Sequence, residues 1–300
     1  MTASVGFIGA GAIGLPMLRR IAEGGFEVEA VELAPDRQAL VRSGGIPVSA
    51  DVAVCSRHEI VIVMVATPDQ LIAALCGAGG AISHMKPGSS LVVMSTVGPE
   101  AVRRVQQDAS AAAVELLDVP VSGGVAGAEA GRLKLFASGP PTTLSRCLPV
   151  MACLGEIVSC GPSVGSGQAV KLVNQLLCGV HLAVAAEALV YAEALGLDPA
   201  AVLKAVTGGA AGSWMLSDRG PRMLATDRVP VSSAVAIFEK DASLVAAAAR
   251  EVGFKAPLLA AAADIFARAR ALGLSDLDDS QVIRVYRSGT VTASDPGVGC

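Results

Sequence analysis

Val5-Gly6-Phe7-Ile8-Gly9-Ala10-Gly11-Ala12-Ile13-Gly14 decides how the first half of this chain folds. A short apolar run opens into G-x-G-x-x-G, and a helical pattern follows over residues 15–22. Gly9 and Gly11 permit a tight turn and close approach of the backbone to a pyrophosphate, and Gly14 permits close packing of helix on strand. Phosphates placed there meet free N–H groups at a helix N-terminus. The motif alone is common, and its context makes it specific. A second apolar run, residues 26–31, ends in Glu32, 23 residues after Gly9 and near the spacing of a ribose-binding carboxylate. The reading is a dinucleotide site, with Gly9, Ala10, Gly11, Ala12, Ile13 and Gly14 around the phosphates and Glu32 and Leu33 at the ribose. A carboxylate there accepts from both ribose hydroxyls and repels a 2′-phosphate. No cation stands among Leu33, Ala34 and Pro35, so NAD is expected over NADP, with Arg37 the nearest group that opposes this.

The same texture continues. Apolar runs of strand length recur at residues 60–66, 90–94, 114–118, 134–137 and 156–159, with helical patterns such as 35–43, 99–108 and 142–151 between them. Continuous rather than alternating runs suit a sheet buried on both faces, so a doubly wound α/β domain is expected. After Gly161 the pattern changes to a Gly- and Ser-rich loop, then helical stretches at 168–195, 199–206, 235–252 and 257–272. The expected organisation is a Rossmann-type domain over residues 1–162 and an all-helical substrate and dimerisation domain over 163–300, joined by one long helix. The tail after Ser288, rich in Ser, Thr, Gly and Pro, is expected to fray.

Composition narrows the classes. Of 300 residues 52% are hydrophobic and only 17% charged, and the excess is Ala and Val, which suits tight helix packing and a buried subunit interface. A homodimer or homotetramer is expected. A net charge of −4 and the lack of a basic cluster argue against nucleic acid and anionic membrane surfaces as partners. The most apolar long stretch, residues 170–194, carries Lys171, Asn174, Gln175, His181, Glu187 and Glu193, so no membrane span is expected. No signal peptide is read at the N-terminus, and seven cysteines without C-x-x-C spacing read as reduced thiols in a cytoplasmic protein. The three histidines are scattered, and no metal site is expected.

Chemistry concentrates in a few places. Lys171 heads an apolar helix directly after the Gly loop, and Asn174 lies three residues on, on the same side. A partly desolvated lysine near a cationic nicotinamide is expected to have a lowered pKa and to exchange protons near neutral pH. Ser122-Gly123-Gly124 offers a hydroxyl and backbone N–H groups in a turn, a nest for a carboxylate. Val65, Ala66 and Thr67 end one strand and Ser95-Thr96 another, where ligands of α/β sheets bind. Trp214, the only tryptophan, sits in a Gly-rich interruption between helices, read as a loop, and it reads equally as core or as pocket wall. Ser213, Asp218 and Arg219 are available nearby to pair hydroxyls of a substrate. Arg219 and Arg222 otherwise read as surface charges.

Four ordered segments resemble the β-hydroxyacid dehydrogenase family. Gly6-Phe7-Ile8-Gly9-Ala10-Gly11-Ala12-Ile13-Gly14-Leu15-Pro16-Met17 is similar to its cofactor signature, with Ile13 in place of the usual Met. Asp118-Val119-Pro120-Val121-Ser122-Gly123-Gly124, with Gly127-Ala128 and Gly131, is similar to its substrate motif, although Arg132 replaces a common Thr. Gly165-Ser166-Gly167-Gln168-Ala169-Val170-Lys171-Leu172-Val173-Asn174-Gln175 is similar to its catalytic motif, and Phe238-Glu239-Lys240-Asp241 to a fourth. The resemblance implies hydride transfer from a small hydroxy acid to a nicotinamide. It implies Lys171 and Asn174 as catalytic residues, with substrate bound by Ser122, Gly123, Gly124, Asn174, Gln175 and Trp214. Thr96 is implied at the nicotinamide ribose and Lys240 closing over the cofactor. Within the family, residues 212–215, 233–241 and 278–286 are most similar to the L-threonate dehydrogenase branch, which implies a four-carbon sugar acid. The alternatives are 3-hydroxyisobutyrate, tartronate semialdehyde (2-hydroxy-3-oxopropionate), an imine, or a non-catalytic cofactor-binding reader. Lys171 counts against the last two.

Overall fold

A computed structural model describes residues 3–288, so the tail expected to fray lies outside the described residues. Strands β1 (Ser4–Ile8), β2 (Glu27–Val31), β3 (Val48–Ser49), β4 (Ile60–Val63), β5 (Ser90–Val93) and β6 (Glu115–Asp118) form one parallel sheet in the order β3-β2-β1-β4-β5-β6. Helices α1 (Gly14–Glu23), α2 (Pro35–Ser43), α3 (Pro68–Leu75) and α4 (Gly98–Ala111) make crossovers. The strand period places Ile60 and Ile62 of β4 in one core with Phe7, Met17, Leu18 and Ile21, and Val61 and Val63 in a second with Leu91, Val93, Leu71 and Val105. Burial on both faces is why the strands read as unbroken apolar runs. Each such side chain contributes roughly 1.5–3 kcal/mol when fully buried. The chain leaves β1 for β2 on one side and later returns to β4 on the other, so the sheet's switch point lies beyond the carboxyl ends of β1 and β4.

One detail differs from the sequence reading. The last two apolar runs leave this sheet. Strands β7 (Val121–Ser122), β8 (Leu133–Ala137) and β9 (Gly155–Ser159) form a separate sheet, β7 antiparallel and β9 parallel to β8. The reason is a wet face: Glu156 and Ser159 are exposed, and Lys134 pairs with Glu156 at 3.1 Å. A single bridge, Asp118 to Ser138, ties the two sheets. Helices α5 (Gly124–Glu129) and α6 (Pro141–Ala152) complete this part.

By packing, the chain divides into Met1–Leu172 and Val173–Cys300. Helix α7 (Ser166–Ala194) therefore begins in the first unit. It is 29 residues long, and among the described residues it is the one helix long and apolar enough, by length and composition, to cross a membrane. The second unit continues with α8 (Pro199–Thr207), α9 (Trp214–Met223), α10 (Val235–Glu251), α11 (Pro257–Ala271) and α12 (Ile283–Arg287). Asp198 caps α8 through the N–H groups of Ala200 and Ala201 at 3.0 and 3.3 Å. The Phe238 and Phe266 rings join α10 to α11, with centroids 5.6 Å apart.

Candidate functional site

The three glycines of the first turn have different tasks. Gly9 has φ +96°, and a Cβ there would stand 2.3 Å from the Met64 carbonyl oxygen. A Cβ on Gly14 would stand 2.0 Å from the Gly9 carbonyl oxygen. Gly9 and Gly14 are thus demanded by the turn and by the packing of α1. Gly11 is demanded by neither, since a Cβ on it meets nothing within 4 Å. That open space at the start of α1, whose N-terminus carries no side-chain cap, fits a pyrophosphate. Ala12 is exposed beside it, and Ile13 is half-buried.

Glu32 follows β2 directly. Its Oε2 accepts from the Ala10 N–H at 2.8 Å and its Oε1 from the Ala34 N–H at 2.9 Å. The carboxylate therefore joins the Gly-rich turn to the start of α2. A carboxylate has about four lone-pair sites, so two bonds leave capacity for ribose hydroxyls. Leu33 is exposed next to it.

Val65, Ala66 and Thr67 follow β4, and Thr96 follows β5. Much of their polar surface serves the scaffold. Thr67 Oγ1 caps α3 by accepting from the Gln70 N–H at 3.1 Å, while Gln70 Oε1 accepts from the Ala66 N–H at 2.9 Å, a variant of the capping box. The Val65 N–H donates to Ser95 Oγ at 2.7 Å, linking the ends of β4 and β5.

Lys171 is 6% exposed, a buried amine on the second turn of α7. Gln168, one turn before it, is fully buried. Its Oε1 accepts from Val97 and Gly98 N–H groups, both at 3.0 Å, and its Nε2 donates to the Ser95 carbonyl at 2.9 Å and to Asp118 Oδ1 at 2.8 Å. Asp118 Oδ2 accepts from the Gln168 N–H at 2.9 Å, the Gly165 N–H at 3.1 Å and Ser138 Oγ at 3.1 Å. Burial pushes the Asp118 carboxyl above its usual range, and the bonds from Gln168, Ser138 and Gly165 oppose that rise. Sequence reasoning quoted Asp118 and Gln168 inside motifs but gave them no task. The available signal was polarity: an acid closing an apolar strand and an amide opening an apolar helix.

Ser122 ends β7, and Gly123 and Gly124 follow with φ +134° and +63°. A Cβ on Gly124 would meet nothing within 4 Å, so the backbone there is open to a small anion. The remaining expected residues belong to the second unit. Asn174 Nδ2 donates to Gln175 Oε1 at 2.8 Å, Gln175 Nε2 donates to Asp241, and Asp241 pairs with Lys240 at 2.9 Å. Asp241 thus links Lys240 to the helix that carries Asn174.

Trp214 opens α9 rather than lying in a loop, and it is 63% exposed. The Arg219 guanidinium lies over its ring, 5.3 Å from the centroid. Of the three residues expected to pair hydroxyls of a substrate, Ser213 and Arg219 are engaged within the fold, while Asp218 stays partly exposed. Ser213 Oγ caps α9 by accepting from the Leu216 N–H at 3.0 Å. Arg219 is buried against Asp279 at 2.8 Å and pairs with Asp218, while Arg222 pairs with Asp278. Arg219 and Arg222 are therefore internal braces rather than surface charges. Their partners Asp278 and Asp279, which sequence reasoning did not single out, are buried. Burial raises the Asp279 carboxyl, while the Ser280 hydroxyl and the N–H groups of Ser232 and Ser280 outweigh burial and lower Asp278.

Comparison with known proteins covers both units. Residues 4–163 match the family described as the NAD binding domain of 6-phosphogluconate dehydrogenase. Residues 165–286 match the family described as the NAD-binding of NADP-dependent 3-hydroxyisobutyrate dehydrogenase. L-threonate dehydrogenase of Cupriavidus necator is 37% identical over 288 residues, covering 95% of this chain and 97% of that one. 2-Hydroxy-3-oxopropionate reductase of Escherichia coli is 29% identical over 280 residues, covering 93% and 96%. The crystal structure of 3-hydroxyisobutyrate dehydrogenase from Salmonella typhimurium superposes with a TM-score of 0.86 at 31% identity, covering 94% of this chain and 99% of that one.

Proposed function

Since the chain belongs to the β-hydroxyacid dehydrogenase family and is an NAD(P)-binding oxidoreductase of hydroxy acids, we propose that it uses NAD, takes the substrate proton with Lys171, and acts best on a four-carbon sugar acid such as L-threonate. The observation that carries this reading is a buried lysine, 6% exposed, on a helix welded to the carboxyl ends of β5 and β6. The dinucleotide, when bound, supplies the hydride acceptor. Gly11 leaves room for its phosphates, Glu32 accepts from its ribose hydroxyls, and Thr96 faces the nicotinamide ribose. Lys171 Nζ removes the hydroxyl proton as the hydride leaves and returns it in the reverse direction. Asn174 and Gln175 orient the reacting group, while Ser122 and the backbone of Gly123 and Gly124 hold the carboxylate. Fixed N–H dipoles suit that task because they need no reorganisation during reaction. Lys240 closes over the cofactor, and Trp214 forms the wall at the distal end of the substrate. Val173, Leu177, Val184 and Tyr191 form an exposed apolar stripe on α7, which supports association with a second copy.

The substrate is the finer part of the proposal. L-threonate dehydrogenases among the relatives favour the sugar acid. The internal use of Ser213 and Arg219 favours a less polar distal pocket, hence 3-hydroxyisobutyrate. The test is a panel of C3–C4 hydroxy acids with NAD and with NADP, followed by absorbance of the reduced cofactor. A site that pairs a hydroxyl rejects the analogue lacking it by up to about 10⁴–10⁵-fold. A kcat/KM higher for L-threonate supports the sugar acid, and one higher for 3-hydroxyisobutyrate overturns it while leaving the dehydrogenase assignment intact.

A further inference from the structure

The side chain of Gln168 spends its entire hydrogen-bonding capacity on two neighbouring segments. Both lone-pair sites of Oε1 and both N–H groups of Nε2 are used. Two of the four bonds, to the Ser95 carbonyl and the Val97 N–H, grip the residues on either side of Thr96. The fourth partner, Asp118, also holds the backbone of Gly165 and Gln168 and so fixes where α7 begins. Lys171 stands three residues later on the same face. One amide thus makes a single rigid body of the Thr96 segment and the helix that carries Lys171. Ser95 extends that body to the end of β4 through the Val65 N–H.

We infer that Gln168, oriented by Asp118, is a positioning residue that fixes Lys171 relative to the segment presenting the nicotinamide. The inference rests on the assignment of Lys171 proposed above. Its physical basis is that a misplacement of about 1 Å at a reacting group costs on the order of 10²-fold in rate. A helix held only by packing does not set a side chain that closely, whereas four directional bonds do.

The test uses the full chain and the hydroxy acid that the unmodified chain oxidises fastest. Gln168→Glu keeps the acceptor for Val97 and Gly98, removes both donated bonds, and sets a carboxylate against Asp118. Asp118→Asn alone leaves the start of α7 with a weaker acceptor. Together the two changes restore a bond of reversed polarity, because the new amide donates to the new carboxylate. Turnover is counted per folded molecule, at a temperature below each variant's transition. The expected result is a fall in kcat of about 10–100-fold for Gln168→Glu, an NAD Kd within about threefold of the unmodified chain, and recovery of at least a third of the lost logarithmic rate in the double variant. If Gln168→Glu does not fold, Gln168→Met, of similar shape and without charge, is expected to give the same fall. A kcat within about twofold of the unmodified chain for the folded single variant overturns the inference. So does a double variant that regains its melting temperature but not its turnover. Lys171→Ala is assayed in parallel: if it still turns over, the assignment of Lys171 fails; if it does not while Gln168→Glu does, only the positioning role fails.

Discussion

Alanine at Gly11 and alanine at Gly14 separate the cofactor's need for glycine from the fold's need. At Gly14 the added carbon lies 2.0 Å from the Gly9 carbonyl oxygen, so α1 and the turn must part by about an ångström before a normal contact is reached. Overpacking of this kind costs roughly 1–3 kcal/mol, and contact with backbone places Gly14→Ala at the upper end. At about 2–4 °C per kcal/mol, the melting temperature should fall by roughly 6–12 °C. At Gly11 the carbon meets no protein atom within 4 Å and the backbone is not left-handed. Gly11→Ala should therefore be neutral or stabilising by about 0.4–1 kcal/mol, since it removes freedom from the unfolded chain. Its cost falls on the dinucleotide. Losing one charge-assisted backbone bond to a phosphate, worth about 1.5–3 kcal/mol, weakens the NAD Kd roughly 10- to 150-fold. Thermal melts and calorimetric titration with NAD measure both effects on the same samples. If Gly11→Ala binds NAD like the unmodified chain, the pyrophosphate does not lie over this turn and the argument fails.

Three further outcomes are expected. Changing Glu32 to Ser and Leu33 to Arg should turn kcat/KM toward NADP, and a preference for NADP in the unmodified chain would remove Glu32 from the ribose. Burial pushes the thiols of Cys55 up to about 12 and of Cys76 and Cys147 up to about 11, from about 9. A raised pKa in the folded state means the stability they contribute is complete below pH 9 and is lost as pH climbs toward 11–12. Denaturation midpoints should therefore fall between pH 9 and 11, and a flat profile there would contradict it. Ser213→Ala removes the cap on α9 and should cost about 1 kcal/mol by urea denaturation.

The sequence carried the sheet's five long strands and most helices to within a few residues, because their burial on both faces leaves an unbroken apolar signature. It missed β3 and β7, two residues each, which are too short for any period to register. It placed β8 and β9 in the main sheet, since a run such as Leu133–Ala137 looks the same whichever sheet receives it. At the candidate site, the glycines, Glu32 and Lys171 were legible as residue types in order. The Gln168–Asp118 bond was not, because it joins positions 50 residues apart. Neither was the use of Arg219 by Asp279, 60 residues away: a charged side chain on a helix does not reveal from its neighbours whether it meets solvent or a buried carboxylate.

The central claim is that Lys171 moves the substrate proton. Lys171→Ala, measured for kcat with the best hydroxy acid and for NAD affinity by titration, tests it most directly. The expected result is a loss of turnover on the order of 10²–10⁴-fold, with NAD still bound within about threefold of the unmodified affinity. A variant that keeps more than about a tenth of the original kcat would contradict the claim and assign the proton to another group.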